Sequence, residues 1–130
     1  MNVRKLAIEP AYKKENGAFA IDTQSVLPND AFHVIEQFII SLPAGEVAGN
    51  HRHARKEALL GLGEALYFLW QDGDNVIHEE AMNPEGHLYL FLIPSNVPHA
   101  VANKSPNKPA VLYEYFDDVY SSVERVNITG

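Results

Sequence analysis

The sequence predicts an all-β barrel formed by one domain. Three observations carry that reading. No segment shows the long 3.6-residue apolar periodicity of an amphipathic helix. Short apolar or alternating runs recur instead, and turn residues separate them at regular intervals, as in β-sandwiches and barrels. The chain is 130 residues long, the usual size of a single domain, and its 46% hydrophobic content suffices for one core.

Taken in order, strands are expected near Gly17–Asp22, Phe32–Ser41, Gly49–Leu60, Glu64–Gln71, Asn75–Ala81, His87–Ile93, Pro98–Asn103 and Ala110–Phe116. Leu42-Pro43-Ala44-Gly45 reads as a turn feeding the third of these. Gly61 and Gly63 flank Leu62, where a tight reversal at positive φ is expected. Asp72-Gly73 lies between two apolar runs and signals a hairpin. Ser105-Pro106-Asn107-Lys108-Pro109 is a loop. The core barrel spans about residues 30–118, with no internal repeat or linker.

Composition removes several function classes. The chain has no cysteine, which excludes disulfides, thiolate metal sites and cysteine nucleophiles. Its formal net charge of −7 repels phosphate backbones at long range, so nucleic acid is not an expected partner. A small phosphorylated ligand stays open, because local basic residues could hold one. The first residues lack an apolar signal-peptide core, and no apolar run is long enough for a membrane-spanning helix. The expectation is a soluble cytoplasmic protein.

The chemistry concentrates in Gly49-Asn50-His51-Arg52-His53-Ala54-Arg55-Lys56-Glu57. On one extended strand His51, His53 and Glu57 share parity, so all three would face one side. Two imidazoles and a carboxylate suit a divalent ion. One strand cannot surround a metal, so a further ligand must come from elsewhere, and His99 is available at the start of a later strand. His33, His78 and His87 sit in no motif and read as satisfied or surface residues, with His78 solvent-facing.

The two segments together resemble the cupin superfamily. Its first motif is Gly, five residues, His-x-His, three or four residues, then Glu; Gly45, His51, His53 and Glu57 fit it. Its second motif ends Pro-x-Gly-x-x-His-x-x-x-Asn, matched by Pro94, His99 and Asn103. Asn96 replaces the Gly of that motif, but Asn tolerates left-handed backbone. The closing Gly of the first motif comes one place early, at Gly63. The resemblance covers residues 33 to 117. It implies the double-stranded β-helix, or jelly-roll barrel, with His51, His53, Glu57 and His99 holding one divalent transition metal (Zn, Ni, Fe, Mn or Co). Its alternative is a vacant site whose histidines act as acid/base groups. It also implies a homodimer, formed through an N-terminal strand within Met1–Ala20 added to the partner's sheet.

Within that superfamily, the run Ser41–His53 looks like the sugar-nucleotide cupins, namely the 3,4-ketoisomerases of dTDP-4-keto-6-deoxyhexoses and the capsule-biosynthesis epimerase domains. Pro84–Tyr89 and Tyr113–Asp118 have counterparts there. Glu57 departs from the ketoisomerases, which generally work without a metal. This resemblance implies a role in carbohydrate metabolism, as an isomerase or epimerase acting on a nucleotide sugar through an enediolate. His51 and His53 would be the acid/base pair in a metal-free version. In a metal-bound version Tyr113 and Tyr115, which share one face of the last strand, are candidate stand-ins, with aromatic packing as their structural alternative. Arg52, Arg55 and Lys56 are the cations nearest the motif for a diphosphate. A non-haem oxygenase and a non-catalytic small-molecule sensor are the other classes the motif allows.

Overall fold

The computed structural model describes residues 2–130, and Met1 lies outside the described residues. Twelve strands follow in order: β1 (Arg4–Ile8), β2 (Tyr12–Lys13), β3 (Phe19–Ala20), β4 (Glu36–Leu42), β5 (Val47–Arg52), β6 (Glu57–Leu62), β7 (Leu66–Gln71), β8 (Ile77–Ala81), β9 (Leu88–Ile93), β10 (His99–Asn103), β11 (Ala110–Phe116) and β12 (Glu124–Arg125). Two five-stranded antiparallel sheets form, with orders β1-β9-β6-β11-β4 and β12-β5-β10-β7-β8; β2 and β3 make a separate hairpin. No helix is long and apolar enough to cross a membrane among the described residues.

Side-chain alternation divides the protein into layers. Leu59, Phe68, Phe91, Ile93, Val101 and Leu112 point between the sheets and make the main core. The outer face of the first sheet carries Ala58, Leu60, Leu90, Leu92 and Tyr115, covered by apolar residues of the segment 21–34. The outer face of the second carries Leu69, Ala100 and Ala102, which Val126 and Ile128 of the C-terminal arm cover. The arms therefore seal what the sheets alone would leave wet.

The largest correction concerns residues 49–60, expected as one strand. The chain leaves β5 after Arg52, turns through 53–56 and enters β6 in the opposite sheet. Strand Gly17–Asp22 contracts to Phe19–Ala20, and Phe32–Ser41 starts only at Glu36, because 21–34 serves as a cover. The apolar run Leu6-Ala7-Ile8 does form a strand, β1, but it pairs with β9 of its own chain.

Gly61 and Gly63 make no positive-φ reversal. Their missing Cβ atoms serve packing instead: a Cβ on Gly61 would sit 2.6 Å from Leu66 Cδ2, and one on Gly63 would sit 2.8 Å from Ala110 Cβ. The hairpin after β7 is held by Asp72, whose Oδ1 accepts from the N–H groups of Asp74 and Val76 at 2.9 and 3.0 Å. Asn75, not Gly73, takes the left-handed position there, with φ 62. Asn96 is left-handed too, at φ 64, as its place in the second motif requires.

A bulge in β5 is the local feature on which the site depends. Val101 faces Ala48 and Ala100 faces Gly49, yet His99 faces His51, so Asn50 is an extra residue in the ladder. Both Gly49 (φ 89) and Asn50 (φ 57) are left-handed. Ala48 and His51 both line the interior although three residues apart, which a regular strand of period two forbids. The bulge restores the parity. Only glycine fits at 49, since a Cβ there would lie 2.9 Å from the His99 carbonyl oxygen.

Candidate metal centre

His51 comes from β5, His53 from the turn just after it, His99 from the start of β10 and Glu57 from the start of β6 across the barrel. The three imidazole rings stand edge to face, with centroids 5.2 Å apart for His51 and His53, 5.0 Å for His51 and His99, and 4.9 Å for His53 and His99. One ligand-capable nitrogen from each lies within 4.8 Å of the others. Glu57 Oε1 sits 3.1 Å from His53 Nε2 and 3.2 Å from His99 Nε2. The four side chains expected from the sequence thus meet at one place. Glu57, however, reaches the site from the opposite sheet and not through shared strand parity with His51 and His53.

Backbone carbonyls orient two of the rings. His53 Nδ1 donates to Arg55 O at 2.7 Å and His99 Nδ1 to Val97 O at 2.8 Å. Each bond fixes the ring and turns Nε2 toward the centre, the usual outer-shell arrangement of metal-ligating histidines. His53, His99 and Glu57 are buried, while His51 is half-buried and borders the open side. Three nitrogens and a carboxylate oxygen, aimed together and already oriented, fit a borderline divalent ion.

The electrostatics follow from this crowding. Burial and the charges of His99 and His53 push His51 down to about 4. Burial would raise Glu57, but the charge of His99 and hydrogen bonds with His53, His99 and Glu114 outweigh it, so Glu57 stays ionised below the usual carboxylate range. Burial would lower His99, yet the Glu57 carboxylate more than compensates and raises it. Burial and the adjacent Glu57 charge push Glu114 up to about 9. Two carboxyls share this corner, so one keeps its proton.

Glu114 is the functional candidate that sequence reading missed. On β11 the residues Leu112, Glu114 and Phe116 face inward, whereas Tyr113 and Tyr115 face out into the layer under segment 21–34. Tyr115 donates its hydroxyl to Thr23 O at 2.7 Å, and Tyr113 to Gln37 Oε1 at 2.7 Å. The structure therefore separates both tyrosines from the site. They do share a face, but it is the outer one, where aromatic packing is their role.

The site opens into a cavity of about 280 Å³. Arg55 lines it with Nη1 bound to Glu36 Oε1 at 2.7 Å, and its guanidinium carbon stands 3.5 Å from the Phe116 ring centroid. Arg52 pairs with Glu124 instead. His33 and His87 are exposed. His78 is not simply solvent-facing: it stacks on Trp70 at 4.9 Å and bonds Asp72 at 2.7 Å.

No protein-family model matches the sequence, and no curated protein matches it by sequence. Solved structures do match by shape. The sugar 3,4-ketoisomerase QdtA of Thermoanaerobacterium thermosaccharolyticum, in complex with TDP, superposes with a TM-score of 0.66 at 14% identity, covering 92% of this chain and 83% of that one. WlaRA, a TDP-fucose-3,4-ketoisomerase from Campylobacter jejuni, gives 0.67 at 17% identity over 93% and 85%. The capsular polysaccharide assembling protein CapF of Staphylococcus aureus gives 0.62 at 14% identity over 72% of this chain, which spans only 27% of the CapF chain. At such identities the likeness is one of fold. The chain has the cupin jelly-roll fold, which it shares with these structural neighbours.

Proposed function

We propose that this chain is a metal-dependent cupin enzyme that isomerises or epimerises a keto compound of the keto-sugar class through enolisation. The observation that carries the reading is the meeting of His51, His53, His99 and Glu57 beside a second, half-buried carboxyl, Glu114, which is not needed for the ligand set. A divalent metal bound there would supply Lewis-acid polarisation of a carbonyl. Imidazoles committed as ligands cannot also take a proton, and besides the four ligands only Glu114, Arg55 and Tyr120 among the described cavity-lining residues carry ionisable groups. Glu114 is the acid/base group in this reading, holding a proton at its carboxyl beside Glu57. The likeness to 3,4-ketoisomerases supports carbonyl migration as the reaction type.

Deuterium tests it. Metal-loaded protein in D2O should exchange the proton beside the ketone of an α-hydroxyketone or of TDP-4-keto-6-deoxyglucose, read by NMR. Folded His53→Asn and Glu114→Gln variants should lose about a hundredfold or more of that exchange. Oxygen uptake by Fe(II)-loaded protein without exchange would instead place the chain among oxygenases. Tight ligand binding without either signal would make it a sensor. Exchange that persists after metal removal and falls in His51→Asn would return the reaction to a histidine acid/base pair.

The same reading includes a homodimer. β1 ends its sheet and leaves one edge unpaired, which suits strand addition by a second copy. Light scattering at micromolar concentration should return twice the chain mass of 14.5 kDa; a monomer mass would reject it.

A further inference from the structure

The charges around the cavity point to a narrower substrate class, on the premise that the metal centre is read correctly. Two carboxyls, Glu57 and Glu114, face the interior, and among the described residues the only Lys or Arg lining it is Arg55. That guanidinium is already committed. It bonds Glu36 Oε1 at 2.7 Å and Asp118 O at 3.1 Å while stacking on Phe116, and its side chain is only 11% exposed. The other basic residues near the motif serve elsewhere. Arg52 pairs with Glu124 and borders a separate polar pocket beside Trp70, and Lys56 lines a second pocket, behind Glu57, with Arg4 and Asp30, but not the cavity of the histidines. Arg125 lies opposite His51 on β12, but it is exposed and does not line the cavity.

A nucleotide diphosphate brings at least two negative charges, and its recognition relies on unpaired Arg or Lys donors. Here it would meet one buried and one half-buried carboxyl and a neutralised arginine, which costs desolvation without compensation. The rest of the wall is hydrocarbon, chiefly Phe38, Ile40, Val101, Phe116 and Val123. A divalent ion held by these four donors would have room for further oxygen ligands. We infer that the site takes a phosphate-free keto compound that chelates through two neighbouring oxygens and lays a hydrocarbon face on this wall.

The experiment uses the Co(II)-loaded chain, with cobalt measured before and after gel filtration. Tropolone, a phosphate-free O,O-chelator with an apolar ring, and thymidine diphosphate are titrated separately against the ligand-field spectrum. Tropolone should bind at least about tenfold more tightly than thymidine diphosphate. Glu36→Gln keeps an oxygen to accept from Arg55 and from the Tyr120 N–H, but removes the charge that neutralises Arg55. That variant should bind thymidine diphosphate about tenfold more tightly than the parent. Thymidine diphosphate equal to or better than tropolone on cobalt-retaining parent protein overturns this inference alone. An unchanged affinity in Glu36→Gln overturns its electrostatic basis. Protein that retains no cobalt overturns the metal centre, and this inference with it.

Discussion

Protein purified without chelator or affinity tag should contain about one transition metal per chain, and removing that metal should lower the thermal midpoint by more than about 10 °C. The size follows from linkage: a ligand held at a thousand times its dissociation constant stabilises the folded state by about 4 kcal/mol. Restoring Zn, Ni or Co should restore the midpoint, and His53→Ala with His99→Ala should abolish the response. Protons compete with metal for the same imidazole nitrogens, so the metal-dependent gain should shrink as pH falls below neutrality. Calorimetry of stripped and reloaded protein decides the matter. A midpoint indifferent to metal, with no metal on elemental analysis, would show that the histidine cluster works without an ion.

Asn103→Ala should cost about 3 kcal/mol although the residue touches neither the cavity nor the histidines. Its buried side-chain amide donates to the carbonyls of Leu42, Pro43 and Lys108 at 3.1, 3.2 and 2.9 Å, and its Oδ1 accepts from Ser105 N at 3.1 Å. One group thus ties the turn before β5 to the loop before β11, and its loss strands several buried polar atoms together. Asn103→Asp should be worse at neutral pH, because a carboxylate would face three carbonyl oxygens. The sign with pH is definite. Those carbonyls raise the folded-state pKa of the new acid, so the native state binds the extra proton, and stability falls as pH rises from about 4. Denaturant unfolding of the alanine variant at pH 7, and of the aspartate variant at pH 4 and 7, would show this. An aspartate variant as stable as the parent at pH 7 would mean that the amide donates nothing of value.

The sequence was legible where a single strand or a short motif decides the outcome. Six strands of the two sheets (β4 and β7 to β11), the left-handed Asn96 and the meeting of His51, His53 and His99 follow from local pattern or short motif. Glu57 reached its place for a reason the pattern did not contain. Alternation over residues 49–60 looks continuous, but the bulge at Asn50 and the turn at 53–56 each break it, and neither leaves a hydrophobic signature. Glu114 was hidden for a related reason. In Val111-Leu112-Tyr113-Glu114-Tyr115-Phe116 both faces of β11 are apolar or aromatic, since one meets the core and the other the covering segment 21–34. With both faces buried, alternation cannot tell inside from outside. The Glu36–Arg55 pair joins residues 19 apart, one at the start of β4 and one in the turn before β6. Nothing in either neighbourhood announces the other.

The bulge in β5 also gives the approach to the site an asymmetric tolerance to changes in length. Asn50 is the surplus residue, and it hooks the C-terminal arm through Thr129 Oγ1 at 2.7 Å, Ile128 N at 3.0 Å and Val126 N at 2.9 Å. Shortening the strand by that residue would spend the slack and lose the hooks, yet His51 would still alternate inward opposite His99. Lengthening it by one has no such reserve. The added residue must be absorbed by a second bulge, or His51 and His53 rotate together onto the outer face, where Ala100 and Ala102 already pack against the arm. Over residues 46 to 50 the count of residues therefore constrains the site more than most of their identities do, and drift in this segment should run toward loss and not gain.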